Sequence, residues 1–244
     1  MDDTGVRGVK KGGRGFLGRV WKAACRHSFV KKRISRGSLR RLCGELATQE
    51  YTLVVHSKDI DYKRFFPNSF VIDKHEGSLI DLPTDAYFSD LALIGAGSFG
   101  NVVCTGLLEH IPDPHRVINE LHRILRPGGR LILSASAVFP SHGNPNNFFH
   151  FTPNGFRLLF RGWSKFEILR GSSAPFRTIA ILLQRISMQC DIFPPFRPLL
   201  EVAYHLVPLL DLFVLRQYDS LGKKDELGPT DAMMPAMLHA VVIK

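Results

Sequence analysis

The 244-residue chain lacks paired cysteines, lacks a long apolar run and, over its first 41 residues, lacks nearly all acid. Its four cysteines, Cys25, Cys43, Cys104 and Cys190, lie far apart and form no CxxC pair. That argues against a disulfide framework and a cysteine zinc site, so no metal centre is expected and a reducing compartment, the cytoplasm, is. No run of 18 apolar residues occurs and no charged-then-apolar leader opens the sequence, so neither a spanning helix nor a signal peptide is expected. The shortage of acid is local. Residues 1–41 hold thirteen Lys/Arg against two Asp, whereas the rest hold nineteen Lys/Arg against twenty Asp/Glu. The net charge of +10 therefore belongs to the N-terminal segment. Such a segment reads as a solvated tail and a helix packed on a sheet edge, or as a peripheral contact for an anionic membrane face or an acidic partner. No nucleic-acid-binding module is recognisable, so specific nucleic-acid binding is not expected.

What is present is concentrated between Asn101 and Thr152. Val102–Cys104 is a β-branched run suited to a buried parallel strand. Leu107, Leu108, Ile111, Val117, Ile118, Leu121, Ile124 and Leu125 recur at helical spacing, with Asp113 as N-cap and Pro114 in the first turn. Pro127-Gly128-Gly129 is expected to stop that helix, and Arg130–Ala135 to start another strand. This is a βαβ unit, the building block of a doubly wound parallel sheet.

Further candidate strands are Tyr51–His56, Phe70–Ile72, a short one within Leu79–Asp85, Phe166–Leu169 and His239–Ile243, and Pro153–Phe160 reads as a helix. Phe16–Ala47 also has helical periodicity. Between the last two strands, Thr178–Ile186 and Leu199–Leu215 look helical, the second interrupted by Pro208. The Leu-rich run suits an internal lid or core helix, a dimer surface or a membrane-facing patch. Ser220–Thr230 reads as a polar linker. The expected organisation is a basic tail and helix over 1–47, a core over 48–172, a helical insertion or lid over 173–237 and a final core strand over 238–244.

Gly95-Ala96-Gly97-Ser98-Phe99-Gly100-Asn101-Val102 matches the GxGxxGxV loop of protein kinases and resembles a dinucleotide fingerprint. Context removes both readings. No lysine lies between Lys74 and Lys165, and a strand rather than a helix follows the glycines. The segment is expected to be a flexible loop before the fourth strand.

Leu108-Glu109-His110 followed by Arg123-Ile124-Leu125-Arg126-Pro127-Gly128-Gly129 resembles the class I S-adenosylmethionine-dependent methyltransferases, in the branch whose fourth strand ends in LEH and whose next helix closes with RxLRPGG. The resemblance covers roughly residues 51–168 and the last strand. It implies an α/β, Rossmann-like, doubly wound sheet of seven strands, mostly parallel with an antiparallel last strand, with the helical insertion between strands six and seven. It also implies S-adenosyl-L-methionine as cofactor and a small-molecule or lipid-like methyl acceptor.

By that resemblance, Asp73 would take the ribose after the second strand, and Asp85 with Ala86 the adenine after the third, with Asp81 as competitor. Thr105 and Gly106 would offer backbone contacts after the fourth. After the first strand the family has an acid and a Gly-x-Gly pattern. Here Val54-Val55-His56-Ser57-Lys58-Asp59 contains no glycine. Either His56, Ser57 and Asp59 contact the cofactor on a different path, or the chain is a catalytically inactive binding or scaffolding protein of the same fold. On the acceptor side, His142 is the candidate base or orienting group, with a loop-ordering histidine as the plain alternative. His110 would fix the loop after strand four, with Glu109 beside it near the donor. Phe148, Phe149 and Phe151 would wall an acceptor pocket or join the core. Glu120 and His122 read as surface or packing residues.

Overall fold

The computed structural model describes residues 33–55, 60–72, 91–142, 146–215 and 233–244. The third candidate strand, the linker over 220–230 and the stretch from Phe16 to Lys32 lie outside them.

The described chain builds one six-stranded sheet: β1 (Thr52–Val55), β2 (Ser69–Ile72), β3 (Phe99–Thr105), β4 (Leu125–Ser136), β5 (Lys165–Gly171) and β6 (Met237–Ile243). Their spatial order is β2-β1-β3-β4-β6-β5. β1 pairs in parallel with β2 and β3, and β3 with β4. β6 is antiparallel to both β4 and β5, as expected for the closing hairpin. Central strands β1 and β3 are buried at every position, because layers cover both faces. β2 and β5 lie at the edges and are only partly buried.

The period-two pleat sorts side chains into two cores. Leu53, Val55, Val102, Cys104, Leu131 and Leu133 face helix α2 (Pro114–Ile124) and helix α3 (Pro153–Leu158). Val54, Val103, Ile132 and Val241 face helix α1 (Arg36–Glu45), through Leu39, Leu42 and Cys43. α2 is capped by the Asp113 carboxylate, which accepts from the Arg116 N–H at 3.3 Å. Helix α4 (Pro175–Gln189), helix α5 (Arg197–Leu206) and a 3-10 segment Val207–Phe213 fill the region before β6.

Several boundaries differ from the sequence reading. α2 starts at Pro114 after Asp113, as read, but Leu107, Leu108 and Ile111, which share its spacing, are buried around a separate 3-10 turn, Leu108–His110. A 3-10 turn buries the same apolar residues, so spacing alone could not separate the two. α2 also ends at Ile124 rather than at Pro127-Gly128-Gly129. Those residues instead form a wide bulge inside β4: Phe99 pairs with Leu125, but Asn101 already pairs with Arg130. Gly128 sits there at φ +72°, which a side chain would disfavour. Backbone bonds between Lys244 and Gly128 and Gly129 clasp the bulge. β3 begins at Phe99, so Gly100 and Asn101 are buried strand residues rather than loop. The Leu-rich run is broken where Pro208 suggested, but its large apolar side chains are mostly exposed.

Candidate active site

In this sheet the chain runs from β1 outward to β2 on one side and returns to β3 on the other. The carboxyl ends of β1 and β3 therefore flank the switch point where open α/β sheets bind ligands. β3 and β4 are parallel, so their C-terminal residues Thr105 and Ser136 open onto the same end.

β3 leaves the sheet through Gly106, at φ +64°, whose N–H donates to Ser134 O at 2.8 Å. Glycine tolerates this left-handed turn, which keeps a side chain out of the crevice. Three residues on, Glu109 is 1% exposed. Its Oε1 accepts from Ser136 Oγ at 2.8 Å, while Oε2 has no hydrogen-bond partner among the described residues. A buried polar atom left open in this way is suited to a ligand group, a cation or a water. The Glu109 carbonyl accepts from the Phe148 and Phe149 N–H groups, at 2.8 and 3.3 Å. His110 Nδ1–H donates to Asn146 O. Glu109 and His110 thus clamp the returning half of the loop that follows β4.

The outgoing half carries His142. Its ring lies edge-on to His110, with centroids 4.9 Å apart, and edge-on to Phe139 at 5.1 Å. His142 Nδ1–H donates to Pro140 O at 3.1 Å, leaving Nε2 as the acceptor nitrogen. Burial, then the neighbouring His110, pushes the His142 imidazole down to about 4. It is therefore neutral near pH 7. Glu109, His110 and His142 each place a ligand-type atom within 4.8 Å of the others, so this trio could also hold a metal ion.

The structure thus brings together all three residues expected on the catalytic side, with Gly106 and Thr105 at the adjoining strand end. Thr105 is buried in the β3–β4 ladder, and its hydroxyl is paired with Tyr62 OH at 2.7 Å. His56, Ser57, Asp59, Asp73, Asp81, Asp85 and Ala86 lie outside the described residues. Val54 points into the α1-side core. Phe151 is core, whereas Phe148 and Phe149 are 46% and 37% exposed beside the cluster. Glu120 pairs with Arg123, and His122 stacks edge-on to Trp163, as packing residues do. Cys104, next to this end, is no nucleophile: burial, then Glu109, raises its thiol far above the usual range.

Sequence reasoning missed Ser136 and Tyr62. Ser136 is 27 residues from Glu109 and Tyr62 is 43 from Thr105, and no motif links either pair. A polar cavity of about 220 Å³ lies at the opposite end of the sheet, lined by Glu50, Asn101 and Arg126 among others. Its groups satisfy one another: Arg126 Nη2 and Asn101 Nδ2 donate to Glu50 at 2.6 and 2.9 Å. It is remote from the switch point.

Residues 73–133 match the methyltransferase domain family. A solved S-adenosylmethionine-dependent methyltransferase from Archaeoglobus fulgidus superposes with a TM-score of 0.51 at 9% identity, covering 93% of this chain and 99% of that one. The chain has the α/β, Rossmann-like fold of the class I methyltransferases. The described sheet agrees with that fold: β2, β1, β3 and β4 are parallel neighbours, and β6 is antiparallel between β4 and β5. Ubiquinone biosynthesis O-methyltransferase of Xanthomonas oryzae pv. oryzae is 51% identical over 45 residues, which is 18% of this chain and 19% of that protein. Its counterpart in Pseudomonas paraeruginosa is 50% identical over 38 residues, 16% of each. The chain thus spans under a fifth of the curated relatives it matches. S-adenosylmethionine is the methyl donor of class I methyltransferases, and the described half of this domain's crevice fits it: Gly106 leaves backbone accessible at the switch point, and an open carboxyl oxygen lies beside it.

Proposed function

We propose that this chain is an S-adenosylmethionine-dependent methyltransferase whose acceptor is a hydroxyl of a small or lipid-like molecule. The observation that carries the reading is the convergence of Glu109, His110 and His142 beside the Gly106 turn. Asp73, Asp85, Ala86, His56, Ser57 and Asp59 are the proposed cofactor contacts, together with the backbone of Thr105 and Gly106. The cofactor, when bound, supplies an electrophilic methyl carbon; the residues of the chain align the acceptor and accept its proton.

His142 presents Nε2 to the acceptor side, and its Pro140 bond holds the ring in that tautomer. A base lowered to about 4 takes a proton readily only from an acidic hydroxyl. His142 therefore orients an acceptor O–H by hydrogen bonding and removes its proton most effectively from a phenol-like group. An oxygen acceptor also agrees with the relatives matched over the short stretch, which are O-methyltransferases. Glu109 holds the loop through its carbonyl and offers Oε2 inward, while His110 fixes the loop at Asn146. Exposed Phe148 and Phe149 supply apolar surface for a ring or chain on the acceptor.

The test is calorimetric titration with S-adenosylmethionine and S-adenosylhomocysteine, with Asp73→Ala alongside. This is followed by a screen of phenolic acceptors, with Nε2 removed in His142→Phe. Micromolar binding weakened by Asp73→Ala, and turnover lost in His142→Phe without loss of cofactor binding, would uphold the reading. The glycine-free stretch after β1 favours a second reading, a catalytically inactive methyltransferase-like binding protein. Absence of cofactor binding at millimolar ligand, with acceptor present, would select it.

A further inference from the structure

The stretch from Phe193 to Leu215 turns its charges inward. Its charged residues are Arg197, Glu201 and Asp211. Arg197 and Glu201 are 2% and 4% exposed and pair at 3.9 Å, and Arg197 Nη2 donates to Ser187 O at 2.9 Å. Asp211 accepts from the N–H groups of Phe176 and Arg177, both at 2.8 Å, capping the first turn of α4. The outward face is left with Leu199, Val202, Leu206, Leu212, Phe213 and Leu215, between 54% and 95% exposed. Single exposed apolar residues are ordinary, but a contiguous set on one charge-free face marks a surface that something covers.

Two observations favour a bilayer over another protein. First, among the described residues this face carries no charged group and one exposed imidazole, His205, so the described part shows no charged rim of the kind that sets register in protein interfaces. A bilayer needs none. Second, charge of one sign joins the structure on the same layer. α5 and Val207–Phe213 pack on α4, and Ile34, on α4's Ile181, donates its N–H to Gln184 Oε1 of α4 at 2.9 Å. Residues 1–32, with nine Lys/Arg and two Asp, connect there. Apolar surface plus a polybasic segment is the two-signal combination that holds a protein on anionic lipid. No helix among the described residues is long and apolar enough to cross a membrane, so the contact is interfacial.

We propose that the outward face of α5 and Val207–Leu215 docks on an anionic phospholipid bilayer. This does not depend on the catalytic reading. The test is co-sedimentation of the full chain with phosphatidylcholine vesicles, with and without phosphatidylglycerol. Wild-type protein is expected to pellet with the mixed vesicles. The combined variant Leu206→Glu, Leu212→Glu, Phe213→Glu should cut partitioning about tenfold or more while leaving the melting temperature unchanged, because each of these side chains is more than half exposed. Failure of the wild type to pellet, equal pelleting on phosphatidylcholine alone, or full binding by the combined variant would each overturn the proposal. So would a lowered melting temperature in that variant, since the face would then be covered by the chain itself. A wild-type dimer in light scattering that the variant splits, without vesicle binding, would assign the face to a second copy.

Discussion

Helices α2 and α5 are similar in length and both amphipathic, yet they are built opposite ways round. In α2, Val117, Ile118, Leu121 and Ile124 are buried against the sheet, and Arg116, Glu120 and Arg123 lie outside. In α5, Arg197, Glu201 and Tyr204 are buried, and Leu199, Val202 and Leu206 are exposed. The difference teaches that helical periodicity defines two faces but does not say which one meets the core. α2 takes the usual orientation because the sheet beneath it is wholly apolar. α5 lies over α4, whose Gln184, Ser187 and the Ser187 carbonyl offer polar partners. Its ion pair can be satisfied there, and Leu199 and Leu206 turn outward while Leu200 stays buried.

The comparison breaks most directly at the buried pair. Arg197→Ala leaves Glu201 buried without its counterion and should cost about 4 kcal/mol in urea unfolding, more than a deleted leucine would. A loss below about 1 kcal/mol would mean that α5 is not seated as described. On the other helix, Leu121→Ala should cost about 3 kcal/mol, for the cavity left against the sheet.

A third buried ionisable group tests whether polar burial is confined to α5. His239 is 1% exposed in β6, bonded through Nδ1 to Ser134 Oγ at 3.1 Å and through Nε2 to Ser38 Oγ of α1 at 3.0 Å. Burial, then Arg170, pushes its imidazole down to about 3. The unfolded chain, with an ordinary imidazole, binds this proton first as pH falls, so folded stability is present above about pH 6.5 and is lost progressively below it. His239 alone should remove about 2 kcal/mol between pH 6.5 and pH 5, and His239→Gln should flatten that part of the profile. An unchanged slope in denaturant titrations across that range would dismiss the assignment.

The smallest effect is expected on the outer face of α5. Leu206→Gln should shift unfolding by under about 0.5 kcal/mol, whereas the same change at Ile118 in α2 should unfold much of the population at 37 °C. Equal losses at both positions would erase the contrast between the helices.

Much of the sheet was legible from local pattern. Val102–Cys104, Leu131–Ser134 and His239–Ile243 lie within observed strands because a strand buried on both faces must be apolar along its length. The Asp113-Pro114 start of α2 was legible because capping is a local hydrogen bond. The bulge at Arg126–Gly129 was not: a proline and two glycines end a helix and widen a strand equally well, and only pairing with Phe99 and Lys244 distinguishes them. At the site, Glu109, His110 and His142 were readable as residue types in motif positions. Their meeting, with Ser136 on Glu109 and Asn146 on His110, depends on β3 and β4 being neighbours.

The sequence by itself determined the α/β alternation, the buried strands, the βαβ unit, the concentration of basic charge before Leu42 and the residue types available for chemistry. These follow from periodicity, capping and composition, which act within a few residues. Only the tertiary structure decided that His142 loses its proton affinity, that Glu109 keeps one oxygen open, that His239 bonds α1 to β4, and that α5 hides its charges. Each of these depends on burial and on partners far away in the chain, and the free energy of a polar group is set by the surroundings that replace its water.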